Sequence, residues 1–125
     1  MDMKIEVVFL GVSDVDRAKS FYVDQVGFHA DHDQTVREGL RFVQLTPPGS
    51  ACSVSFGEGI TAMEAGAQKG VMMVVEDVAA TRAHLVANGV EVTEVEEMPW
   101  GLFAFFADPD GNAWTLQQLP AWAGR

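Results

Sequence analysis

Only one cysteine, Cys52, stands among the 125 residues, so no disulfide can form within the chain and its stability has to come from packing. A lone thiol fits a reducing, cytoplasmic setting. Basic side chains are also scarce: 8 Lys and Arg against 18 Asp and Glu leave a formal net charge of −10. A phosphate backbone would be repelled, which argues against nucleic acid as a partner, whereas cationic ligands or basic partners would be attracted. No apolar run approaches the roughly 20 residues of a membrane span. The N-terminal MDMKIEVVFLGVSD returns to polar residues after a few apolar ones. It is expected to form a strand rather than a signal peptide or an anchor.

A hydrophobic content of 48% with 21% charged residues is that of a folded globular chain. The length predicts a single domain, residues 1–125, large enough to bury a core.

The sequence repeats itself. VSDVDRAKSFYV (Val12 to Val23) lies over VEDVAATRAHLV (Val75 to Val86), and Gly39 to Ser55 lies over Gly101 to Gln117, in the same order and at nearly the same spacing. Each repeat, about 4–57 and about 70–119, reads as βαβββ. A strand (about 4–12 and 70–75) leads into a helix. Ser13 with Asp16 resembles a capping box in the first repeat, and Asp77 is the candidate N-cap in the second. Val15, Ala18 and Tyr22, then Val78, Thr81 and Leu85, form apolar stripes at helical spacing. Gly27 and Gly89 are stop signals. Strands are expected at about 28–33, 40–45 and 51–57, and again at about 90–96, 102–107 and 113–118. TPPG and DPDG supply the last turn of each repeat. The predicted fold class is α+β: two βαβββ repeats forming a curved mixed sheet of half-barrels around a cavity, with the helices outside.

VSDVDRAKSFYVDQVGF followed by FADPDGNAWTLQQL resembles the vicinal oxygen chelate superfamily, which includes glyoxalases, bleomycin-resistance proteins and dioxygenases. The resemblance runs from about residue 4 to 119. It implies ligand positions for a metal at Val7, Ser53, Gly70 and Thr115. Val and Gly offer no donor there, and Ser53 and Thr115 only neutral hydroxyls, so no metal and no other cofactor is expected. His29 and His32, three apart on one strand, are expected on opposite faces, and His84 on a helix flank, all three at the surface.

Strand alternation from Val7 and Thr115 lists an inward face. Ile5, Val7 and Phe9, Arg41, Val43 and Leu45, and Ser53 and Ser55 come from repeat one. Gly70, Met72 and Val74, Phe103 and Phe105, and Ala113, Thr115 and Gln117 come from repeat two, with Trp100 at the rim. Of these, Val7, Phe9, Arg41, Val43, Ser53, Ser55, Met72, Trp100, Phe103, Phe105, Thr115 and Gln117 are the candidate ligand-binding residues. Phe103 and Phe105 could equally fill a core. Arg41 either meets a ligand or pairs with a carboxylate. Trp114 and Cys52 fall on the other parity, Trp114 beneath a helix. No carboxylate falls on the inward face, so no catalytic residue is assigned. The favoured reading is metal-free binding and sequestration of a small molecule, such as an aromatic or cationic antibiotic. A superfamily enzyme (lyase, isomerase or dioxygenase-like) with a non-standard metal or none is the alternative, and an interaction module with a filled cavity is the third. The resemblance implies a homodimer.

Overall fold

A computed structural model describes residues 1–123; the last two residues of the expected 1–125 domain lie outside the described residues. The first repeat runs β1 (Val7–Phe9), α1 (Val15–Ser20) continuing as a π-helical turn (Phe21–Val26), β2 (His29–Arg37), β3 (Leu40–Thr46) and β4 (Ser53–Glu58). The second runs β5 (Val71–Val74), α2 (Val78–Ala87), β6 (Glu96–Met98), β7 (Gly101–Ala107) and β8 (Ala113–Gln118). Two four-stranded mixed sheets result, ordered β1-β4-β3-β2 and β5-β8-β7-β6, and neither closes into a barrel. In each, the first pair is parallel and the others antiparallel.

Local chemistry explains the helix ends. Asp14 caps α1 by accepting from Arg17 N at 3.0 Å, and Asp77 caps α2 by accepting from Ala80 N at 3.0 Å. Ser13 is therefore not the cap; its hydroxyl donates to Asp110 Oδ1 at 2.6 Å, across to the second repeat. Gly27, at φ 99°, ends the π-helical turn in the left-handed conformation that a residue with a Cβ resists. The strand expected over 90–96 shrinks to Glu96–Met98. Thr93 interrupts the ladder, because its Oγ1 accepts from Phe105 N at 2.9 Å in place of a carbonyl. Val90 and Val92 still bury themselves.

The two repeats share one core on the helix side of both sheets. Tyr22 stacks on Phe28 and reaches Phe56 of sheet one and Trp114 of sheet two, with ring centroids 5.4, 6.0 and 5.7 Å away. Trp114, 1% exposed, packs on the helix side against Tyr22 of the π-helical turn, as its parity predicted. A polar thread runs through this core. Trp114 Nε1 donates to the Tyr22 hydroxyl, which donates to Asp108 Oδ2 at 2.7 Å; Asn112 Nδ2 donates to Asp108 Oδ2 and to Gly11 O. The first repeat thus meets the buried Asp108 and Asn112 side chains of the DPDGN turn. Asp108 Oδ1 accepts from the turn's own Asp110 and Asn112 amides, and Asp110 Oδ2 is buried without a partner among the described residues. The connecting segment fastens the same seam: Gly66 N donates to Gly11 O at 3.0 Å, and Gln68 Nε2 to Phe9 O at 3.1 Å.

Candidate functional site

With the helix sides taken up by this core, the opposite face of each sheet is what remains for a ligand. Registration across strands decides which side chains share that face. In sheet two, Met72, Thr115 and Phe105 are cross-strand partners, and so are Val74, Gln117 and Phe103. These are the residues expected there. Phe103 and Phe105 stand stacked with centroids 6.5 Å apart, and Trp100 meets Phe103 edge-on at 6.4 Å. Gln117 Nε2 donates to Trp100 O at 3.0 Å and so fixes the turn that carries the indole. Phe103, Thr115 and Gln117 are buried, while Met72, Val74 and Trp100 are half-exposed. The arrangement is an aromatic floor with an apolar, open edge.

Sheet one differs from expectation. Val7 pairs with Ser53 and Phe9 with Ser55, as anticipated. Val43 and Leu45, however, pair with Phe56 and Val54 and are wholly buried on the helix side. Their places on the inner face belong to Phe42, Gln44 and Thr46. The cause is turn length. Six residues join Thr46 at the end of β3 to Ser53 at the start of β4, but five join Ala107 to its partner Ala113. An odd difference inverts the parity of β3 relative to β7.

Arg41 moves with that inversion. It projects to the helix side, where Nε and Nη2 fork onto Asp33 at 3.0 and 2.9 Å, and Nη1 lies 2.9 Å from Asp16 of α1. The hydrogen bonds from Arg41, then from Lys19, hold the Asp33 carboxyl well below the usual carboxylate range. Arg41 and Val43 are therefore removed from the candidate site, and Arg41 is an ion-pairing residue.

A β-bulge makes the second correction. His29 pairs with Thr46 and His32 with Gln44, with a register shift between Ala30 and His32. The extra residue, Asp31, puts both histidines on the inner face instead of on opposite ones. Asp31 also brings a carboxylate to that face, since its Oδ2 accepts from the Thr46 hydroxyl. Glu96, the partner of Phe103, is a second.

The metal positions shift once. The β1-to-α1 connection is two residues longer than its counterpart, with Gly11, Val12 and Ser13 between Leu10 and Asp14 against Glu76 alone between Val75 and Asp77. Leu10 N donates to Ser55 O as Val75 N does to Gln117 O. The residue corresponding to Val7 is therefore Met72, not Gly70. Val7, Ser53, Met72 and Thr115 offer no anionic or imidazole donor, a set that does not fit a divalent cation. Among the described residues, no group of three or more His, Cys, Asp or Glu could hold a metal ion.

A cleft of about 910 Å³ runs along the free edge of β5. Met72, Val74 and Gln117 line it from the inner face, Phe28 and Pro47 from repeat one, and His84 from α2. That size suits a drug-sized molecule. Phe28, Pro47 and His84 were not expected in a site; only the packing of one repeat on the other brings them together. No helix of the described residues is long and apolar enough to cross a membrane.

Comparison with known proteins agrees with this fold. Residues 4–116 match the family described as the Glyoxalase/Bleomycin resistance protein/Dioxygenase superfamily. The crystal structure of TnmS3, an antibiotic binding protein from Streptomyces sp. CB03234, is 34% identical with a TM-score of 0.86, covering 95% of this chain and 98% of that one. A glyoxalase/bleomycin resistance protein from the same Streptomyces is 36% identical with a TM-score of 0.81, covering 92% of this chain and all of the other. The uncharacterized protein YetH of Bacillus subtilis (strain 168) is 29% identical over 122 residues, 94% of this chain and 100% of YetH.

Proposed function

The chain belongs to the glyoxalase/bleomycin resistance protein/dioxygenase superfamily, and from that premise we propose that it binds and sequesters a small aromatic molecule, an antibiotic among the candidates, without a metal. The observation that carries this reading is the inner face of sheet two. Phe105 and the half-exposed Trp100 present ring surface above the buried Phe103, Thr115 and Gln117 add a few polar atoms, and a cleft of about 910 Å³ along the β5 edge reaches this face at Gln117. Burial of ring area would supply affinity, and the polar atoms orientation. The binding activity of TnmS3, alike over 95% of this chain, favours the same use of the fold. The proposed setting is a single cytoplasmic domain. Half-exposed Met72 and Val74, with Phe9 at 37% exposure, further suit a homodimer in which a second copy covers part of each inner face.

The test is a thermal melt against a panel of aromatic antibiotics. A true ligand at a hundred times its Kd adds about 2.7 kcal/mol to stability, enough to raise the melting temperature by several degrees. A panel that leaves the transition in place would contradict sequestration.

A further inference from the structure

Resting on that binding reading, we infer that sheet one carries a hydrogen-bond-accepting subsite, Asp31–Thr46–Ser53, that takes an amino or ammonium group on the ligand. The direction of the protons carries the argument. Asp31 as a carboxylate can only accept, so the single hydroxyl hydrogen of Thr46 is committed to Asp31 Oδ2. Thr46 Oγ1 also lies 2.6 Å from Ser53 Oγ. With its own hydrogen used, Thr46 must be the acceptor of that bond and Ser53 the donor. Ser53, 5% exposed, then has lone pairs alone left to offer on the inner face. Asp31 Oδ1 accepts no hydrogen bond from the described residues, since His29 Nε2 stands 3.7 Å away, beyond hydrogen-bonding range. Two acceptors thus point onto a face whose nearby arginine, Arg41, is turned to the other side of the sheet.

Several features place the subsite where a ligand would reach it. Thr46 immediately precedes Pro47, which lines the cleft at the β5 edge. The Asp31 side chain is 26% exposed, neither solvent-saturated nor sealed. Asp31 itself is not part of the core, and the bulge is what brings its carboxylate to Thr46. His29 and His32 flank the subsite on the same face, and His32 is already stacked on Phe42 at 6.3 Å. A ligand group that itself offers only acceptors, such as a carboxylate, would meet lone pair against lone pair and be rejected.

Two dyes built on one planar ring system test this. Proflavine carries amino donors and a positive charge; acridine carboxylate carries an anionic acceptor. Fluorescence titration of the full chain should give proflavine an affinity at least about tenfold higher. Asp31→Asn should cut that preference about tenfold, and Thr46→Val, which frees the Ser53 hydrogen, should cut it as well, while Thr46→Ser should restore it. Asp24→Asn removes the same unit of charge from an exposed position away from the sheet, and it should leave the preference intact. Equal binding of the two dyes, or a preference untouched by both Asp31→Asn and Thr46→Val, overturns the subsite while the binding reading stands. Failure of both dyes to bind the unaltered chain overturns the two together.

Discussion

Asp33 sits between two cations, with Lys19 Nζ 2.8 Å and Arg41 Nη2 2.9 Å from its Oδ2, and all three side chains are at most a third exposed. The pair is a brace between β2, β3 and α1, not a ligand contact, and it has a pH signature. Because these partners depress the Asp33 carboxyl in the folded chain, its contribution is complete above the ordinary carboxylate range, about pH 4, and is lost as pH falls through the lowered folded value. The stability gap between the unaltered chain and Asp33→Asn should therefore be constant from neutral pH to about pH 5 and close in stronger acid. Urea denaturation at several pH values measures it. A gap that widens in acid would contradict the assignment. At this scale the sequence was half legible. Arg41 was recognised as either a ligand contact or an ion-pair partner, and nothing within β3 itself could choose between them. The choice lay with Asp33 and Asp16, on elements whose approach depends on the fold.

The helices, their Asp77 cap and their glycine stops could be read from the sequence because each depends on neighbours a few residues away. The parity of β3 could not, because it is set by the length of the turn after it. TPPG and DPDG look alike, yet six residues join β3 to β4 and five join β7 to β8, and that odd difference turns Val43 and Leu45 into the core and Gln44 and Thr46 out of it. The bulge at Asp31 is equally silent in the sequence, and it reverses the expected split of His29 and His32. The segment joining the repeats shows the same dependence on distant backbone. Gly66 has φ +76°, and a Cβ there would lie 2.1 Å from Asp110 O of the DPDG turn. Gly66→Ala should cost about 2 kcal/mol or more, the left-handed conformation and the displaced backbone both contributing. A fall in melting temperature of about 6 °C or more is expected. An unchanged melt would mean that the seam between the repeats is looser than these contacts imply.

As a whole molecule, the chain divides its sheets between two tasks. Their helix sides merge into one core through Tyr22, Phe56 and Trp114, and their inner faces stay partly uncovered. The fold is held by aromatic packing and by the Tyr22–Asp108–Asn112 thread, none of which draws on the inner face. The two inner faces are unlike, sheet two aromatic and sheet one polar, which matches a ligand with a planar body and a hydrogen-bonding edge. The aromatic face is the central claim. Trp100 is 55% exposed beside it, Trp114 is buried, and Trp122 is exposed elsewhere in the chain. In a Trp122→Phe background, emission from Trp100 therefore reports on that face. Titration with an aromatic antibiotic that stabilises the chain should quench Trp100, and Phe105→Ala should weaken that response at least tenfold, about 1.4 kcal/mol. A stabilising ligand that leaves Trp100 emission unchanged and binds Phe105→Ala as tightly would place binding away from sheet two and contradict the account.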